Sequence, residues 1–221
     1  MNSKHHWESV YQRNTTDQVS WFRSHLEASL DYIQAATPDP HAGIIDVGCG
    51  EATLVDDLLA LGYDDITVLD ISESAIEAAK RRLGKASSRV TWCVGDITQV
   101  ILKARRYDLW HDRAVFHFLL DSNQRAAYVR QLCYSLVPGG HVVMATFGPE
   151  GPTRCSGLDV VRYSATQLSE QLGPSFELLS DHLEVHETPT GHSQQFLYTH
   201  FRHKDGMGRS LSVHRHGDDI F

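Results

Sequence analysis

The sequence predicts an α/β fold: a doubly wound, mostly parallel sheet of seven strands that ends in an antiparallel hairpin. Between Gly43 and Thr146, short apolar runs alternate with segments of helical periodicity, the pattern of βαβ units. The runs are continuous and rich in β-branched residues, as strands buried on both faces must be. Further on, residues 176–186 and 194–201 form two more strand-like runs. The joint between them, Thr188-Pro189-Thr190-Gly191, is too short for a helical crossover, so they pair antiparallel.

Before the sheet, residues 7–11 read as a short helix and residues 21–36 as a longer one. Residues 43–47 are the first strand. Its helix carries Leu54, Val55, Leu58, Leu59 and Leu61 at 3–4 spacing and stops at Gly62. The second strand, 66–70, leads to a helix that opens with Ser74 and Glu77 in capping-box spacing and ends at Gly84. Residues 90–94 are the third strand and 107–110 a short fourth. Asp121 and Gln124 cap the next helix, which carries Val129, Leu132 and Leu136. Pro138-Gly139-Gly140 turns the chain into the fifth strand, 141–146. Residues 148–157 read as a Gly- and Pro-rich loop, and Ser164 and Gln167 cap a last helix that ends at Gly173-Pro174.

Composition narrows the function classes. A formal charge of −8 argues against a general grip on nucleic acid, and the basic runs at 80–82 and 103–106 read as solvated element ends. The four cysteines, Cys49, Cys93, Cys133 and Cys155, are scattered, as free thiols of a reducing compartment are. No apolar run approaches the ~20 residues that span a bilayer. Residues 1–11 have neither signal-peptide nor transit-peptide character, so a cytoplasmic protein without membrane contact is expected. The 14 histidines are dispersed without ligand spacing, and no metal site is expected.

The chemistry-bearing segment is Asp46-Val47-Gly48-Cys49-Gly50-Glu51-Ala52, where the first strand becomes a helix. Glycines here let the backbone turn tightly and approach a ligand. Asp70 ends the next strand twenty residues after Gly50, where an acid accepts hydrogen bonds from ribose hydroxyls; capping the following helix is its plainer role. Asp46 would repel a dinucleotide pyrophosphate but suits a sulfonium and an ammonium. Asp96, ending the third strand, is placed to accept from an adenine amino group.

On these residues the chain, from about 43 to 201, resembles class I S-adenosylmethionine-dependent methyltransferases, with their Rossmann-like seven-stranded sheet. The resemblance implies S-adenosylmethionine as cofactor and S-adenosylhomocysteine as product. It assigns the methionine half and ribose to Asp46, Gly48 and Gly50, the ribose to Asp70 with Ile71 beside the adenine, and adenine contacts to Asp96 and Ile97. Asp112 matches the position facing the methyl group, and Val137-Pro138-Gly139-Gly140 the turn before the fifth strand. The usual third glycine is Ala52. The implied organisation is an N-terminal helical lid (1–40), a methyltransferase domain (41–203) and a mobile tail (204–221). Tyr11 or Trp21 would sit near the sulfonium, where an aromatic face attracts a cation, although packing on the sheet edge also explains these aromatics.

Asp112, His111 and His117 are the candidate bases. Asp112 could instead pair with Arg113, and His117 lies in an apolar stretch where packing is the commoner role. Cys49 is read as buried. Arg154 or Arg162, on the loop after the fifth strand, would suit an anionic acceptor if not simply on the surface. The acceptor is expected to be a small molecule, with a protein lysine as the alternative and a non-catalytic S-adenosylmethionine-binding protein as the reading of another class. Asp112-Arg113-Ala114 departs from the Asp-Lys-Gly of the lysine enzymes. A monomer or a homodimer is compatible with the sequence.

Overall fold

The computed structural model describes residues 3–13, 23–188 and 191–204. The strands are β1 (Ile44–Val47), β2 (Ile66–Asp70), β3 (Val90–Val94), β4 (Tyr107–Arg113), β5 (Leu136–Phe147), β6 (Arg154–Cys155), β7 (Leu158–Asp159), β8 (Phe176–Glu187) and β9 (Ser193–His203). The helices are α1 (Ser3–Arg13), α2 (Glu27–Ala36), α3 (Leu54–Ala60), α4 (Glu73–Leu83), α5 (Ser122–Ser135) and α6 (Ala165–Leu172). Seven strands form one sheet in the order β3-β2-β1-β4-β5-β9-β8. The first five run parallel, and β9 lies antiparallel between β5 and β8.

Strand alternation divides the core. Ile44, Leu109 and Val143 face α2, α3 and α4, packing with Ile33, Leu54, Leu58 and Ile76. Ile45, Trp110, Val142 and Met144 face α5 and α6, packing with Tyr128, Leu132, Leu168 and Leu172. β1 and β2 are buried along their whole length, which explains their unbroken apolar runs. The strand order reverses between β1 and β4, and such a switch point opens a crevice at the carboxyl ends of the strands.

The structure revises several expected boundaries. The second helix begins at Glu27; Trp21 and Phe22 lie outside the described residues, and Arg23 and His25 leave the helix to reach Glu184 and Asp57 on other elements. The N-cap of α4 is Ser72, whose hydroxyl accepts from the Ala75 N–H, and not Ser74. β4 runs three residues past its expected end, because its polar tip still pairs with β1 and β5. The first helix covers eleven residues, and the expected loop at 148–157 contains β6, which pairs with β7. The capping box of Ser164 and Gln167 is present. Of the expected tail, only Lys204 is described. No helix among the described residues is long and apolar enough to cross a membrane. Among the same residues, no group of three or more His, Cys, Asp or Glu is placed to hold a metal ion.

Candidate active site

A pocket opens at the crevice between β1 and β4 and is walled by the strand tips and by α1. Its floor is the glycine loop. Gly48 has φ +72°, and a Cβ there would lie 1.9 Å from Val115 Cγ2; Gly50 has φ +52°, and a Cβ there would lie 2.5 Å from the Tyr11 hydroxyl oxygen. Only glycine tolerates both the left-handed backbone and these close approaches. At these two positions the loop is thereby kept free of side chains, while Cys49 and Ala52 of the same loop also line the pocket.

Three carboxylates stand at successive strand tips on one side of the pocket. Asp70 is buried; its Oδ2 accepts from the Gly50 N–H at 2.8 Å and its Oδ1 from the Ser72 N–H at 2.8 Å. Burial pushes its pKa up to about 6, against the lowering effect of those two donors. Asp70 therefore caps the glycine loop and the start of α4 while also lining the pocket. Asp96 accepts from the Thr98 N–H and hydroxyl at 2.8 and 2.7 Å and from Gln99 Nε2 at 3.0 Å, which fixes the turn that brings Ile97 to the wall. Asp46 is buried at the tip of β1, with Oδ1 2.7 Å from His111 Nδ1. On its other side the ring is held by Ser29, whose hydroxyl oxygen lies 2.9 Å from Nε2. Ile71 completes this half of the wall.

The other half is apolar: Phe118, Leu119, Phe147, Leu158 and Phe196. Helix α1 reaches over the mouth. Trp7 packs edge-on against Phe118 at 4.9 Å, Tyr11 lies against Gly50, and both line the pocket. Glu8 fastens the helix: its carboxylate accepts from the Glu73 and Ser74 N–H groups at 3.0 and 3.1 Å, from the Ser72 hydroxyl at 2.9 Å and from the Ser74 hydroxyl. The Ser74 hydroxyl does most to hold the Glu8 carboxyl below its usual range.

The three candidate bases do not converge. His111 is on the wall. Asp112, on the opposite face of β4, points into the α5 layer, where it accepts from the Val115 N–H at 2.8 Å, the Phe116 N–H at 3.1 Å and the Tyr128 hydroxyl. Burial pushes its pKa up to about 6. His117 is buried off the pocket wall, and its Nδ1 accepts from the Phe147 N–H at 3.1 Å. Burial lowers its pKa to about 3, so it stays a neutral packing residue. The Asp112–Arg113 pair does not form, since successive strand residues point to opposite faces. Arg154 binds Asp159 and the Gly157 carbonyl, and Arg162 reaches the Gly151 carbonyl; neither lines the pocket. Cys49 is buried, and burial raises its thiol pKa well above the usual value. Trp21 lies outside the described residues.

The donor set fits a nucleoside that carries a cationic tail: a glycine cradle, a buried carboxylate beside it, and two further acids at neighbouring strand tips. Residues 44–140 match the model of a methyltransferase domain family. That stretch, 97 of the 221 residues, is similar to class I S-adenosylmethionine-dependent methyltransferase domains.

The chain is similar to malonyl-[acyl-carrier protein] O-methyltransferase of Anoxybacillus flavithermus, 32% identical over 159 residues, which is 70% of this chain and 59% of that protein. It is also similar to the eEF1A lysine and N-terminal methyltransferase of Mus musculus, 26% identical over 141 residues, 64% of this chain and 20% of that one. The chain thus spans less than two thirds of either relative. In fold it is similar to the N-methyltransferase NodS from Bradyrhizobium japonicum WM9, solved with S-adenosyl-L-homocysteine. That match has a TM-score of 0.69 at 20% identity and covers 90% of this chain and 98% of the other.

Sequence reasoning missed Glu8, Ser29 and Arg113 as parts of this site. Glu8 and Ser29 reach partners 66 and 82 residues away, beyond any local pattern. Arg113 was legible in principle, because strand period places it on the same face as His111.

Proposed function

We propose that the protein is an S-adenosylmethionine-dependent methyltransferase acting on a small molecule. The observation that carries the acceptor class is the roofed pocket: α1 lies across its mouth, and the half away from the carboxylates is a chamber of aromatic and aliphatic side chains. Such a chamber suits a compact acceptor with apolar surface. A lysine presented by a folded protein needs an open approach that Trp7 and Tyr11 obstruct.

S-adenosylmethionine would supply an activated methyl carbon on a sulfonium. Asp70 would accept from the ribose hydroxyls, and Asp96 with Ile97 and Ile71 would hold the adenine. Asp46 would place its negative charge by the sulfonium and ammonium, beside the backbone of Gly48 and Gly50. Tyr11, whose hydroxyl is kept neutral by burial, would close the loop from above. The chain's main contribution to rate is then alignment and exclusion of water beneath α1. Of the candidate bases, only His111, oriented by Asp46 and Ser29, lines the pocket where a proton would leave the acceptor. The malonyl group on an acyl-carrier protein named for the bacterial relative supports a small acyl acceptor, while the lysine named for the mouse relative supports the alternative.

Calorimetric titration with S-adenosylmethionine, S-adenosylhomocysteine and NAD tests the cofactor; binding of NAD alone, or of none by folded protein, rejects the reading. Transfer from tritium-labelled S-adenosylmethionine, offered small acids, thiols and amines beside whole-cell protein, then tests the acceptor. Label confined to protein lysines would replace the small-molecule reading, and no transfer at all would favour a binding protein.

A further inference from the structure

We infer that His111 is a positioning residue for the cofactor and not a base: bridging Ser29 to Asp46, it sets the Asp46 carboxylate where the cationic end of S-adenosylmethionine binds. This rests on the methyltransferase reading of the same pocket. Strand register and alternation bring the three residues together. Asp46 and His111 are paired neighbours on the parallel strands β1 and β4. Two positions before them, Ile44 and Leu109 pack in the layer of α2, so Asp46 and His111 face that layer too. Ser29 stands on α2, whose Ile33 packs in the same layer. All three residues are at most 3% exposed.

The imidazole spans the gap between helix and strand. Its Nδ1 lies 2.7 Å from Asp46 Oδ1 and its Nε2 lies 2.9 Å from the Ser29 hydroxyl oxygen. Whichever nitrogen carries the proton, each is taken up by a protein oxygen. A base must present a lone pair to the proton it removes. His111 lines the pocket, but both of its nitrogens are committed to the wall. Asp46 is the group this arrangement serves. Among the described residues its carboxylate has one hydrogen-bond partner, His111, and it lines the pocket just before the glycine loop. Its charge acts on Asp70 and on Cys49 within that loop. Two buried carboxylates beside one loop repel each other, and a cation between them relieves both. That attraction falls with distance, so whatever fixes the Asp46 oxygens sets how much of it a cationic ligand receives. His111 pins one oxygen, and Ser29 pins His111 to a helix already seated on the sheet. Its effect therefore belongs to cofactor binding, before any acceptor arrives.

The test is a double-mutant cycle on the full chain, read by calorimetric titration with S-adenosylmethionine in the absence of any acceptor. His111→Phe keeps a ring in place and removes both polar contacts; it is expected to weaken binding about tenfold, and Asp46→Ala at least as much. The double variant should bind within about twofold of Asp46→Ala alone, because His111 acts only through that carboxylate. His111→Gln, whose amide still donates to Asp46, should bind within about threefold of the wild type. Should His111→Phe fail to fold, Ser29→Ala takes its place in the cycle, with an expected loss of about threefold. Unchanged affinity in folded His111→Phe would leave the residue to act on the acceptor as a base. Losses that multiply in the double variant would make it a support of the fold alone. Either result overturns the inference, as does an Asp46→Ala variant that binds like the wild type. Failure of the wild type to bind S-adenosylmethionine would instead remove the methyltransferase reading beneath it.

Discussion

Asp70 holds a buried carboxylate between two backbone donors, with the pocket on its remaining side. A charged acceptor in such a place contributes about 1.5–3 kcal/mol per hydrogen bond to a bound hydroxyl. Asp70→Ala is therefore expected to weaken S-adenosylmethionine binding by roughly 10–100-fold in calorimetry, and Asp70→Asn by less, since one oxygen still accepts. Unchanged affinity in the folded alanine variant would remove Asp70 from the site. Asp112 carries the opposite expectation. Its carboxylate serves Val115, Phe116 and Tyr128 inside the core, so Asp112→Asn should lower stability by about 1–3 kcal/mol in denaturant titration and leave the pH profile of kcat where it was. A variant of unaltered stability whose profile loses a limb would make Asp112 a base after all. Asp46, Gly48, Gly50, Asp70 and Asp96 were legible because strand-tip acids and a glycine loop have a fixed spacing. The residues that follow were legible only in part. The sequence reading ended the fourth strand at residue 110, and without a strand through residue 113 nothing separates His111 and Arg113 from Asp112.

Helix α1 shows the same division one level up. Trp7 and Tyr11, four residues apart, share a helix face; a lid was expected there from the family resemblance, with packing on the sheet edge as the plainer reading. What fastens this helix is a contact between Glu8 and the first turn of α4, formed by donors that every helix start leaves unsatisfied, and no sequence window joins residue 8 to residues 72–74. No residue of α1 is fully buried; Glu8 and Gln12 tie it to α4, Trp7 packs on Phe118 and Tyr11 lies against Gly50. Glu8→Ala is expected to cost about 1 kcal/mol of closure, read as a roughly fivefold rise in the Kd for S-adenosylmethionine carried mainly by faster dissociation. Hydrogen exchange should show α1 amides opening faster in this variant and slowing again with S-adenosylhomocysteine. Exchange in α1 that responds to neither change would show that the helix does not move with the site. The β8–β9 hairpin, by contrast, was readable from its joint, since Thr188-Pro189-Thr190-Gly191 between two strand-like runs is too short for a helical crossover, and the two strands do pair antiparallel.

For the molecule as a whole, the buried titrating groups oppose one another. His117 and His200 are depressed by burial to about 3 and about 4, and His141, against His200, is lowered in the same sense. An unfolded chain takes up these protons below about pH 6.5 while the fold refuses them, so the fold loses stability as pH falls from there. Asp70 and Asp112 act the other way. With folded pKa values of about 6, against an unfolded value near 3.9, they hold protons that the unfolded chain releases, and their contribution is lost as pH rises from about 4 to about 6. Between pH 4 and 6 the two sets oppose each other, so the melting temperature of the unliganded protein should change less across that range than the histidines alone would make it. Cofactor breaks the balance. Ribose hydroxyls that donate to Asp70 keep it ionised and remove one of the two acid contributions, so the complex loses about 1.4 kcal/mol per pH unit on acidification below pH 6 relative to the free protein. For a chain of this length that is about 3–6 °C per pH unit. The rise in Tm given by saturating S-adenosylhomocysteine should accordingly be constant above pH 6.5 and shrink steadily from pH 6 to pH 4.5. In Asp70→Asn the rise should be smaller and independent of pH. A wild-type increment that does not change across the range would mean that Asp70 does not bear on the bound nucleoside, whatever its place beside the glycine loop.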